Sequence, residues 1–137
     1  MKIQMYILEN DPVKETIEFN GVKIFIEWRK GEVREYPGSP YKNLMHYDYG
    51  YIPRTYTPDG METDVCLYDR LGQSDWVGKL VQIDPKSGEF DELKFMLGFP
   101  DLEVAKESYI KTMGENWFGG ISKISWEDFI NTINQYR

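Results

Sequence analysis

The run VGKLVQIDPKSGEFDELKFMLGFPDLEVAKESYIKTM, residues 77–113, decides the fold class. VGKLVQID reads as a strand, DPKSGE as a turn-rich link and FDELKFMLGF as a second strand, so the three predict a hairpin. The period then changes. From Asp101, residues Leu102, Ala105, Tyr109 and Met113 recur at helical spacing on one face, and Pro100 with Asp101 makes a helix start. Strands that give way to a helix without alternating with it point to α+β organisation.

The flanks agree. In TIEFNGVKIFIEW, residues 16–28, two β-rich runs surround Asn20-Gly21, a pair that favours a type I′ hairpin turn. GEVREY and TDVCLYD read as further strands. After the glycine-rich ENWFGG comes a short strand, ISKI. Ser125 then caps WEDFINTINQY, with Asp128 three residues on and a buried stripe of Trp126, Phe129, Ile130 and Ile133. The expected fold is one α+β domain over residues 1–137. Its mostly antiparallel sheet is expected to curl into an OB-like barrel, with two C-terminal helices packed on one side.

Composition narrows the function. The 137 residues fit one domain, and folding should bury roughly two thirds of the unfolded surface. The net charge of -7 argues against a nucleic-acid polymer as partner, because phosphate backbones need a basic face. A small phosphorylated ligand held through a cation remains open. Cys66 is the only cysteine and reads as an inert core thiol, so a reducing compartment is the default. No run approaches ~18 apolar residues and no signal peptide is recognisable, so a cytoplasmic protein without membrane contact is expected. A homo-oligomer is compatible with the sequence.

The segment YDYGYIPRTYTPDGMETD, residues 47–64, holds four tyrosines and gathers Asp59, Glu62 and Asp64 around Gly60. Such a run is ordinarily a solvated loop. Here, however, Asp64 opens an apolar strand with Val65 and Leu67. Two carboxylates about 4 Å apart repel by roughly 4 kcal/mol at an effective dielectric of 20, so clustering them near a core raises a pKa or binds a cation. All-oxygen ligands suit Mg²⁺, Mn²⁺ or Ca²⁺. A second acidic group, with Asp84, Asp91, Glu92 and Lys94, lies in DPKSGEFDELK. Strand alternation would place Asp91 with Leu93 on one face and Glu92 with Lys94 on the other.

These segments together resemble the soluble family I inorganic pyrophosphatases, and more closely the short pyrophosphatase-like domains of phages and mobile elements. The counterparts are IEWRKGEVR, YGYIPRT, DGMETDV, VQIDPKSGEFDELKFMLGF and ISWEDFINTI, from about residue 22 to 133. The resemblance implies an OB-like barrel, a pyrophosphate or nucleotide ligand, and Mg²⁺ or Mn²⁺, weakly bound. It assigns metal to Asp59, Asp64 and Asp91, with Glu27 an acid at the rim. It assigns phosphate to Arg34, Tyr49 and Lys94, with Tyr109 and Lys111 as a late tyrosine–lysine pair. The metals would neutralise the ligand and acidify an attacking water, and a carboxylate would take its proton.

Three departures bear on activity. Met61 stands where the family has its middle aspartate, Val81 where the phage-type pattern has an aspartate, and Leu93 where it has a histidine. Losing a general base typically costs ~10²–10⁴ in rate. Asp64 and Glu62 are the carboxylates left to act catalytically. The resulting expectation is a binding protein with hydrolysis weakened or lost, such as a phage protein that sequesters a host nucleotide signal. The alternatives are an active Mg-dependent pyrophosphatase or nucleotide phosphohydrolase, and a module that uses the fold only as a surface. His46 reads as a structural histidine or a catalyst. Trp117, in ENWFGG, is a core or lid residue or a platform for a nucleobase.

Overall fold

The computed structural model describes residues 12–57, 60–71 and 75–135. Among the described residues, nine strands come in the order β1 (Glu15–Phe19), β2 (Val22–Trp28), β3 (Val33–Glu35), β4 (Lys42–Leu44), β5 (Asp48–Tyr56), β6 (Glu62–Leu67), β7 (Trp76–Ile83), β8 (Phe90–Leu97) and β9 (Phe118–Ser125). Helix α1 (Leu102–Met113) and a 3₁₀ turn (Glu115–Trp117) precede β9, and α2 (Trp126–Gln135) follows it.

Local chemistry explains most of these elements. Phe19 pairs with Val22 across the β1–β2 turn, where Asn20 and Gly21 have φ of 49° and 79°, as a type I′ turn requires. Asp101 caps α1 by accepting the Val104 amide, and Ser125 caps α2 by accepting the Asp128 amide at 3.0 Å. The tyrosine-rich segment is itself a nine-residue strand, β5, set against β2 and β6. Its Gly50 lies opposite Ile26, where a Cβ would meet the Phe25 carbonyl oxygen at 1.8 Å. No other residue fits there.

The α+β class, with two C-terminal helices on a sheet, holds. Closure into a barrel does not. The seven-stranded sheet runs β1-β2-β5-β6-β8-β7-β9, and its two edge strands do not pair with each other. A separate ladder joins β3 to β4. The pairs are antiparallel except β6 with β8, which is parallel.

The helices also divide between the two faces rather than sharing one side. Val65, Leu67, Phe95 and Leu97 belong to a core that includes Phe129 and Ile133 of α2. Their neighbours Cys66 and Met96 belong to another, with Ala105 and Tyr109 of α1. The reason lies in the central strands, whose consecutive residues Val65-Cys66-Leu67 and Phe95-Met96-Leu97 are all buried. A strand apolar on both faces needs cover on both. Among the described residues no helix is long and apolar enough to cross a membrane.

Candidate ligand-binding cleft

Between the α1 face of the sheet, the β3–β4 ladder and the 3₁₀ turn lies a cleft of about 990 Å³. The ladder is tied to the helix end by two side chains. The Asn43 amide donates to the Thr112 carbonyl oxygen, and the Tyr36 hydroxyl to Met113 Sδ at 3.8 Å.

The buried end is organised around Lys94. Its ammonium donates to the Tyr49 hydroxyl, to Asp64 Oδ2 at 3.1 Å and to Glu92 Oε1. Burial alone would favour the neutral amine. Asp64, Tyr49 and Glu92 together outweigh it and hold Lys94 well above its ordinary range, so it stays charged. Burial pushes the Asp64 carboxyl up, with Lys94 pulling against it and Glu92 adding to the rise. Burial and the Asp64 charge also push the Tyr49 phenol up, so it remains protonated. Arg34 lies beside this group, its guanidinium carbon 4.7 Å from the centre of the Tyr49 ring and 4.6 Å from that of Tyr36.

A second chain of bonds runs along the same face. The Tyr109 hydroxyl donates to Gln82 Oε1, and Gln82 Nε2 donates to Asp91 Oδ2 at 2.8 Å. Burial pushes the Tyr109 phenol up, which keeps it a donor. Alternation would have turned Asp91 away from Gln82. The ladder instead steps from Ile83–Phe90 to Gln82–Glu92, leaving Asp91 as the extra residue of a bulge. The bulge brings Asp91 to the cleft alongside Glu92.

The residues assigned from the sequence therefore separate. Arg34, Tyr49, Lys94, Tyr109 and Asp91 line the cleft, and Asp64 adjoins it through Lys94. Glu27 and Glu62 lie outside the lining, and the charges of both act on the Tyr51 phenol. Lys111 is exposed and also outside it. Asp59 lies outside the described residues. His46 bonds Thr112 through its backbone amide at 3.2 Å and has Nδ1 at 3.1 Å from the same hydroxyl, a structural arrangement. Cys66 is fully buried, its thiol pushed up to about 12 by desolvation.

Glu92 stands with Lys94, as strand alternation predicts, whereas Gln82 and Tyr36 line the cleft without a sequence signal of their own. Val81 and Leu93, two of the three departures, form a cross-strand pair. Leu93 packs against the core under α2, so this pair faces away from the cleft.

The resemblance implies a divalent metal, and the described residues do not assemble a site for one. No three His, Cys, Asp or Glu side chains among them are grouped as cation ligands. Asp64 is paired with Lys94, and Asp91 accepts from Gln82.

The chain matches the family model described as Inorganic Pyrophosphatase over residues 3–134. Among solved structures it is similar to the crystal structure of an inorganic pyrophosphatase from Neisseria gonorrhoeae. That likeness has 18% identity, covers 79% of this chain and 82% of that chain, and has a TM-score of 0.43. No curated protein matches the sequence.

Proposed function

The chain belongs to the inorganic pyrophosphatase family, and on that premise we propose that its cleft binds a small phosphorylated molecule, a phosphoanhydride or nucleotide, with hydrolysis weakened or lost. The observation that carries the reading is that Arg34 and Lys94 line one cleft; Lys94 is balanced by Asp64 and Glu92, so Arg34 is the leading phosphate contact. Arginine offers a planar fork to phosphate oxygens, and lysine a compact charge. Tyr109 is fixed by Gln82 and adds a phenol to the same lining.

Several groups that would activate water are absent or engaged. Met61 has a thioether where the family pattern has a carboxylate, and its carbonyl oxygen accepts the Thr57 amide at 2.8 Å, which closes the turn. Asp64 and Glu92 are both paired with Lys94. Sequestration of a host nucleotide signal by a phage protein is the biological role that suits a cleft which holds its ligand without cleaving it.

The test is phosphate release from pyrophosphate with Mg²⁺ supplied. The parent is expected near background, and Met61→Asp to raise turnover ~10²-fold, the low end for a general base. Several turnovers per second in the parent, slowed by Met61→Asp, would overturn the weakened-hydrolysis reading and put an active phosphohydrolase in its place.

A further inference from the structure

The cleft lining is chemically mixed. The inner end is buried and charged, with Lys94 6% exposed. The rest of the lining includes two aromatic residues, Tyr41 on the approach to β4 and Trp117 in the 3₁₀ turn. At about 990 Å³ the cleft sits at the top of the ~300–1,000 Å³ range of small-molecule sites, several-fold more than two phosphoryl groups fill.

The four tryptophans differ in what covers their rings. Lys14 lies 3.9 Å from the centre of Trp28, and Lys123 lies 4.6 Å from that of Trp76. Trp126 packs against Phe19 and Phe129. Trp117 lines the cleft, and among the described residues no other ring or cation stacks on it. Tyr41 is likewise unstacked among them and 75% exposed. A half-buried indole and an exposed phenol in the same lining as Arg34 and Lys94 suit a ligand that joins a flat ring to phosphates.

We infer that the ligand is a nucleoside polyphosphate whose base stacks on the lining aromatics Trp117 and Tyr41 while its phosphates reach Arg34 and Lys94. The inference rests on the phosphate-binding reading above and adds the nucleoside to it.

Calorimetric titration with pyrophosphate and with ADP, GDP, CDP and UDP separates the two ideas. At least one nucleoside diphosphate is expected to bind roughly tenfold more tightly than pyrophosphate, the scale of one base stacked on an aromatic ring. Trp117→Ala and Tyr41→Ala should reduce that advantage and leave pyrophosphate affinity unchanged. Trp117 packs partly against the α1-side core, so its variant needs a melting curve. Tyr41→Ala removes an exposed side chain and stands as the second probe. Loss of the advantage in at least one folded variant supports the inference. Its persistence in both overturns the inference, as does pyrophosphate binding as tightly as every nucleotide, and in either case the phosphate-binding reading stands. If neither pyrophosphate nor any nucleotide binds, both fall.

Discussion

The two faces of the sheet are built from the same strands and do different work. Under α2, Val65, Leu67, Phe95 and Leu97 meet Phe129 and Ile133 in a hydrophobic layer. Under α1, alternate positions on the same strands carry Asp64, Lys94 and Glu92 beside Cys66 and Met96. The first face resembles an ordinary core. The second holds buried charge, which is costly unless fully paired and is therefore informative about function. Stability and binding should separate along this line, and substitutions can break it.

The largest effect is expected on the dry face. Phe129→Ala should destabilise the fold by about 3–5 kcal/mol, read from urea unfolding, because it deletes a fully buried ring. Protein that remains folded should bind phosphate ligands as before. Impaired binding in that fraction would mean the two faces are coupled.

On the cleft face, Lys94→Met should cost about 3 kcal/mol at pH 7, because Asp64 and Glu92 lose their shared cation. The sign of the pH dependence is distinctive. Lys94 has a raised folded pKa, so its contribution is complete below about 10.4, the unfolded value, and fades only as pH rises through the folded one. Without Lys94, the raised Asp64 carboxyl makes the variant gain stability as pH falls toward about 4, the unfolded carboxylate range. Mg²⁺ should stabilise this variant more than the parent. A variant whose stability neither rises on acidification nor responds to Mg²⁺ would show that the carboxylates were not held by the ammonium.

A smaller effect lies away from both faces. Arg70 and then Arg29 hold Glu15 down to about 2, through contacts of 2.6 and 2.9 Å. A depressed carboxylate contributes above its unfolded pKa of about 4.3 and loses that contribution as pH falls toward about 2. The group is solvent-accessible, so the contribution is at most about 1 kcal/mol. Glu15→Gln should flatten the acid limb of the stability curve in that window. The smallest signal is chemical. Cys66 should resist a thiol reagent in the native protein and react only on unfolding.

Local chemistry made much of the fold legible. Asn20-Gly21, the DPKSGE turn, Asp101 and Ser125 each announce a boundary through their own side chain or backbone preference, and each stands where expected. The parallel pairing of β6 with β8 is set by long-range contacts and was not legible. Both strands of that pair are buried on two faces and require cover on both. The consecutive buried runs 65–67 and 95–97 were the available sign. At the site, family spacing picked out Arg34, Tyr49, Lys94, Tyr109 and Asp91, all of which line the cleft. It could not foresee the bulge that turns Asp91 inward or the outward-facing pairing of Val81 with Leu93. Val81→Asp, which the family pattern alone would recommend, would put a carboxylate on the apolar side of the sheet.

The central claim is that the charged end of the cleft binds phosphate, and Arg34 is its most direct probe. Calorimetric titration of pyrophosphate should show binding to the parent and roughly tenfold to hundredfold weaker binding to Arg34→Ala, the range for hydrogen bonds to a charged group. Circular dichroism should be unchanged between the two. Equal binding by parent and variant, or no binding by the parent at all, would contradict it.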